Sequence, residues 1–194
     1  MTNEEVAKFV DSIKIEKEWN GKKKAGRLVC MSGLRLRTLT EVLLGTGMRI
    51  SEALSLDRND INWESREAMV VGKGDKQRTV FFSKRAEHWL KEYLKSRNDD
   101  NPALFVALGD NRRWARFDIA EQFRGYARRA GLAKRVTPHL LRHSMATVML
   151  SNGCDIRYIQ EMLGHADIQT TARYYLGTDK KAVKAAHEKY LILE

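Results

Sequence analysis

Thr137-Pro138-His139-Leu140-Leu141-Arg142-His143 is the stretch from which the rest of the chain can be read. Thr137 is a good N-cap and Pro138 suits the first helical position, so a helix begins here. His139 and Arg142 are three apart and share a face close to that N-terminus. Free backbone N–H groups and the positive end of the helix dipole favour an anion at such a place, a phosphate above all. His143, four residues after His139, also raises a zinc pair. The metalloprotease form needs Glu directly after the first His, and this chain has Leu140 with no third ligand nearby. No metal is therefore expected. Taken alone, the two imidazoles read as core side chains hydrogen-bonded within the fold.

Two neighbouring segments change that reading. Leu163-Gly164-His165-Ala166-Asp167-Ile168-Gln169-Thr170-Thr171-Ala172-Arg173-Tyr174 places a phenol nine residues after a histidine. Thr46-Gly47-Met48-Arg49-Ile50-Ser51-Glu52 puts an arginine at a helix start, with Glu52 three residues on to orient it. Gly72-Lys73-Gly74 puts a lysine at a hairpin tip between two glycines, which allow close approach of a ligand. Each has a plain reading in isolation, Arg49 as a surface ion pair and Lys73 as an ordinary turn charge. Together they supply guanidiniums, the natural phosphate binders, beside a phenol that can act as a nucleophile.

Composition narrows the partner. Lys and Arg total 35 against 25 Asp and Glu, a net charge of +10 over 194 residues. That surplus favours a polyanion, nucleic acid before an anionic membrane surface. No apolar run approaches bilayer length and no secretory pattern opens the chain, so a cytoplasmic, DNA-associated protein is expected. Cys30 and Cys154 are isolated and read as reduced thiols.

Along the chain, Thr2 to Glu5 forms a capping box ahead of Val6, Phe9, Val10 and Ile13 at helical spacing. Lys17 to Arg27 reads as an exposed basic loop. Leu34 to Leu44 is a helix closed by Gly45-Thr46-Gly47, and Ser51 is expected to cap a short helix through Leu56. Ile61-Asn62-Trp63, Ala68 to Val71 and Thr79 to Phe82 are strands, the last two joined across Gly72 to Lys76. Helices follow at Lys84 to Ser96, Asp118 to Ala130, Pro138 to Ser151, Asp155 to Leu163, Ile168 to Tyr175 and Lys180 to Leu191. The class is mainly α with a small three-stranded antiparallel sheet, in one domain spanning residues 1–194.

In order and spacing, the Arg49, Lys73, His139–His143, Leu163–His165 and Tyr174 motifs make the chain resemble the catalytic domain of tyrosine recombinases, the phage integrase and Xer family. The resemblance covers nearly the whole chain, and five ordered motifs are far more specific than any one. It implies that Arg49 and Arg142 clamp the non-bridging oxygens of a scissile phosphate. Tyr174 attacks the phosphorus to give a 3′-phosphotyrosyl intermediate, and Lys73 protonates the leaving 5′-oxygen. His139 assists proton transfer at the tyrosine and His165 hydrogen-bonds the phosphate. It further implies double-stranded DNA as partner, no cofactor or metal, a monomer when free and a homo-tetramer on DNA. Tyr175 is a rival nucleophile that the nine-residue spacing disfavours.

Two departures from the family pattern stand out. The family often carries an acidic residue after the first His of His-x-x-Arg, where this chain has Leu140, so the contact that carboxylate makes is in doubt. A complete recombinase also carries an N-terminal core-binding domain. The capping box at Thr2 resembles the start of the catalytic domain, so the chain is expected to be the C-terminal part of a larger recombinase. The tail, residues 178–194, presents Val183, Ala186, Tyr190 and Leu191 on one helical face. Its readings are packing on its own domain or, by resemblance, docking on a neighbouring protomer. The alternatives to a recombinase are a type IB topoisomerase-like enzyme and a non-catalytic DNA-binding protein.

Overall fold

The computed structural model describes residues 1–15, 24–72, 74–75, 77–164 and 180–192, with the side chains of 24–30 and 180–182 excepted. Lys73, His165, Tyr174 and Tyr175 lie outside the described residues, as do most of the Lys17–Arg27 stretch and the Ile168–Tyr175 helix.

Helix α1 (Asn3–Ser12) starts on a complete capping box, in which Thr2 Oγ1 accepts from the Glu5 N–H while Glu5 accepts from the Thr2 N–H. Its buried face, Val6, Phe9 and Val10, packs beside α5, where the Phe9 and Phe123 rings meet edge to face at 5.4 Å. Helix α2 (Lys24–Thr46) is the longest element, 23 residues or roughly 35 Å. It begins at Lys24, inside the stretch expected to be loop. Leu36, Leu39, Val42, Leu43 and Leu44 are buried along it, and it lies between α4 and α6 at the centre of the main core. The threonines buried on α2 return their hydroxyls to its own carbonyls four residues back, so they satisfy their polar atoms locally.

Helix α3 (Ile50–Ser55) follows, with Arg49 rather than Ser51 at the N-cap. Ser51 sits exposed in the first turn, and the carboxylate of Glu52 accepts the Arg49 N–H instead, at 2.6 Å. The sheet is antiparallel in the order β1 (Ile61–Asn62), β2 (Glu67–Val71), β3 (Gln77–Phe81). Ala68 pairs with Val80 and Val70 with Arg78, so Arg78 stands on the same face as the buried Val80.

Helix α4 (Lys84–Ser96) is capped by Ser83, whose Oγ accepts from Ala86 N–H at 3.2 Å. Helix α5 (Arg116–Arg129) begins two residues before the expected Asp118. Helix α6 (Pro138–Ser151) has the cap the sequence calls for, Thr137 Oγ1 accepting from Leu140 N–H at 3.1 Å. Helix α7 (Ile156–Leu163) ends on Gly164, and α8 (Lys180–Tyr190) completes the described chain. Val183, Ala186 and Leu191 are buried on their own domain with Met145, Met149, Ile159 and Phe81, a second, smaller core. Among the described residues no helix is long and apolar enough to cross a membrane.

Candidate active site

The N-termini of α3 and α6 meet at a cleft of about 300 Å³ lined by Arg49, Ser51, Arg116, Thr137, His139 and Arg142. Three of the six residues singled out in the sequence, Arg49, His139 and Arg142, thus come together from positions up to 93 apart. His139 and His143 are both exposed, so the reading of two core imidazoles does not hold.

Arg142 is buried on α6 with its guanidinium spanning the Gly47 turn and the end of α7. One terminal nitrogen donates to the Gly47 carbonyl and the other to the Leu163 carbonyl. A guanidinium has five N–H donors, and those that remain have no partner among the described residues. Burial lowers this group to about 10, with repulsion from Arg49 and Arg78 acting the same way against the pull of Glu52. It remains a cation at neutral pH.

Glu52 is the counter-charge of the site. Its carboxylate is buried and holds Arg78 through both oxygens, Arg49 Nη1 at 3.0 Å and the Arg49 backbone N–H. Burial by itself would raise this acid. The hydrogen bonds of Arg78, then the Arg49 backbone N–H, the charge of Arg78 and the Arg49 side-chain hydrogen bond, overcome it and bring the carboxyl to about 2. Three guanidiniums around one carboxylate leave an excess of two positive charges beside the cleft. Arg49 keeps 39% of its side chain exposed while Glu52 fixes one of its nitrogens, so it is oriented yet open to a ligand.

Arg78 ties the remaining pieces in place. Its Nε donates to the Met162 carbonyl at 3.2 Å, joining β3 to the end of α7. Gly164 caps α7 in the left-handed region (φ 61°, ψ 48°), and a Cβ there would lie 2.8 Å from Arg78 Cδ. Gly47 likewise has φ 63°, with Leu163 Cδ2 2.9 Å from where its Cβ would be. Both positions demand glycine twice over, by backbone conformation and by space. The Leu163-Gly164 segment that leads to His165, and the β2–β3 hairpin that carries Lys73, are therefore both anchored on Arg78.

Sequence reasoning missed Arg78 and Arg116. Arg78 had a signal, a charged residue on the core-facing alternation of a strand. Arg116 lies just ahead of the first periodic residue of its helix, where the pattern is silent. Among the described residues no three His, Cys, Asp or Glu side chains gather as a metal site.

This fold and cleft define the catalytic-domain architecture of tyrosine recombinases. A crystal structure of XerA recombinase superposes with a TM-score of 0.70 at 32% identity, covering 95% of this chain and 62% of that one. XerH site-specific recombinase bound to difH substrate, a pre-cleavage complex, gives 0.68 at 31% identity over 86% of this chain and 47% of that one. The model of the phage integrase family matches residues 4–181, and the chain belongs to that family. Among curated relatives, tyrosine recombinase XerD of Brucella melitensis is 38% identical over 98% of this chain and 62% of its own length. Tyrosine recombinase XerA of Pyrococcus furiosus is 38% identical over 100% and 62%. The chain thus spans less than two thirds of the relatives it matches.

Proposed function

We propose that this chain is the strand-cleaving part of a site-specific DNA recombinase. The observation that carries the reading is the convergence of Arg49 and Arg142 on one cleft, each already oriented by protein groups and each with donors to spare. In the proposed reaction a DNA phosphodiester enters this cleft and its non-bridging oxygens take hydrogen bonds from the two guanidiniums. Tyr174 Oη attacks phosphorus, a P–O bond to tyrosine forms, and the P–O5′ bond breaks. The phenolic proton leaves toward His139, and Lys73 gives a proton to the departing 5′-oxygen. His165 hydrogen-bonds the phosphate. Charge that builds on the pentacovalent phosphorus is met by donors fixed beforehand, the arrangement that lowers such barriers most. Attack by a 5′-hydroxyl from a partner strand reverses the steps and completes exchange, with the bond energy held in the phosphotyrosyl link.

The recombinase names of the relatives, and the DNA-bound XerH, support strand exchange over simple relaxation or passive binding. Double-stranded DNA is the proposed partner, with a homo-tetramer on DNA assembled from monomers. In that assembly the tail, which packs on its own domain in the free chain, is the proposed link between protomers.

The test is a nicked suicide duplex carrying the cognate site. Wild type and Tyr175→Phe form a covalent protein–DNA adduct, and Tyr174→Phe forms none. The reverse pattern overturns the assignment of Tyr174, and no adduct from any of the three overturns the cleavage reading.

A further inference from the structure

Phe117 is 82% exposed, against 55% or less for the other exposed large apolar side chains among the described residues. Its chain neighbour Arg116 lines the cleft with Arg49 and Arg142. Those two guanidiniums are each held by protein groups, Arg49 by Glu52 and Arg142 by the Gly47 and Leu163 carbonyls. Arg116 is exposed, and its guanidinium makes no hydrogen bond or ion pair among the described residues. At about 100° per residue, Phe117, Glu121, Arg124 and Arg128 fall within roughly 60° of one another around α5. All four are exposed, while Ile119, Phe123 and Ala127 on another face are buried. The guanidiniums of Arg124 and Arg128 also have no partner among the described residues.

The outer stripe of α5 is thus basic, with Glu121 as its one carboxylate and a single aromatic ring at the cleft end. One ring among unpaired guanidiniums lacks the contiguous apolar area that a protein partner buries. A DNA major groove suits it. That groove admits an α-helix, and the phosphates along its edges take hydrogen bonds from arginines. Of the four bases only thymine presents an apolar group there, its C5 methyl. Consecutive Cα atoms are about 3.8 Å apart and stacked base pairs about 3.4 Å, so a phosphate met by Arg116 puts Phe117 within a few base pairs of it.

We propose that Phe117 is a specificity-determining residue, its ring packing on the methyl of one thymine in the major groove beside the cleavage point. Arg116 holds a backbone phosphate and so fixes the register of the ring, and Arg124 and Arg128 meet phosphates further along the groove. The inference rests on the reading of the cleft as a DNA site. It adds a base preference that Arg49 and Arg142, as phosphate ligands, do not supply.

The test selects DNA with the chain itself, from a pool of duplexes of random sequence, and sequences what is retained. Wild type should enrich thymine at one position, and Phe117→Ala, with unchanged thermal unfolding, should lose that thymine while keeping the rest of the site. In a selected duplex, replacing that thymine by uracil removes only the methyl. The change should weaken wild-type binding about fourfold and leave Phe117→Ala unaffected. Arg116→Ala should weaken all selected duplexes alike and lower the slope of log affinity against log salt by about one. Identical pools from wild type and Phe117→Ala, no uracil effect on wild type, or a uracil effect that persists in Phe117→Ala each overturn the inference and leave the cleavage reading standing. Identical pools together with a sedimenting mass that falls in Phe117→Ala mark a second copy of this chain as what covers the ring. No duplex retained by wild type overturns both readings.

Discussion

Arg78 grips Glu52 through both oxygens, Nη1 to Oε1 at 2.8 Å and Nη2 to Oε2 at 2.7 Å, while the same carboxylate holds Arg49. A β-strand and a helix N-terminus are thus joined under the cleft by one fork-to-fork pair. Removing one member of a buried pair strands the other's charge, so Glu52→Ala should lose about 3–5 kcal/mol in urea unfolding.

The same carboxylate predicts acid sensitivity. Glu52 is depressed to about 2 in the folded state, against about 4.3 for a free Glu. Its contribution is complete above the unfolded value and fades as pH falls from there through the folded one. Wild type should therefore lose on the order of 3 kcal/mol more than Glu52→Gln between pH 5 and pH 2. Urea midpoints at several pH values measure the difference, and parallel curves would refute it.

Gly164→Ala should harm both stability and chemistry. The left-handed backbone costs an alanine roughly 1–2 kcal/mol, and the new methyl meets Arg78 at 2.8 Å. Gly153, with φ 84° and nothing within 4 Å of a Cβ, is the control that carries the backbone penalty alone. Gly164→Ala should unfold at a lower temperature than Gly153→Ala and should alone slow formation of the covalent adduct.

Arg49 and Arg142 should separate under conservative change. A lysine cannot reach the Gly47 and Leu163 carbonyls together, so Arg142→Lys should be destabilised and also slowed. Arg49 is partly exposed, so Arg49→Lys should fold normally and lose activity alone. For either, single-turnover cleavage should drop roughly 10²–10³-fold, the scale of one lost transition-state donor. Thermal unfolding of the two variants beside their cleavage rates shows the split.

Much of this was legible beforehand because periodicity and capping are local. The Thr2 and Thr137 caps, the existence of β2 and β3 and the 84–96 and 138–151 helices all follow from neighbours in sequence, though β3 runs 77–81 rather than the expected 79–82. Arg49 and Arg142 were legible as motif members. What was not legible depends on distant partners. The 103–106 segment, with no helical or strand period, is buried because Arg97 donates to the Ala103 and Leu104 carbonyls and because Asp57 bridges Ala103. Arg78 finds Glu52 from 26 residues away, and nothing near it in sequence announces that partner. The start of α2 was obscured by the lysines and glycines around it, which read as loop although α2 begins among them.

His187 gives the last prediction. Its ring is buried on α8 and Nε2–H donates to the Gly45 carbonyl, just ahead of the Thr46–Arg49 turn. Burial lowers its affinity for a proton first of all, with Arg66 and Lys184 acting likewise against Glu188 and the Gly45 bond. The folded state therefore holds a neutral ring where the unfolded chain takes up a proton near pH 6.5. Stability is full above that pH and falls as pH drops below it, because protons then favour the unfolded chain. His187→Gln keeps a donor for Gly45 but cannot titrate, so its unfolding temperature should be flatter than wild type between pH 7.5 and pH 5. If the two proteins lose stability in parallel over that interval, His187 is not the group that responds.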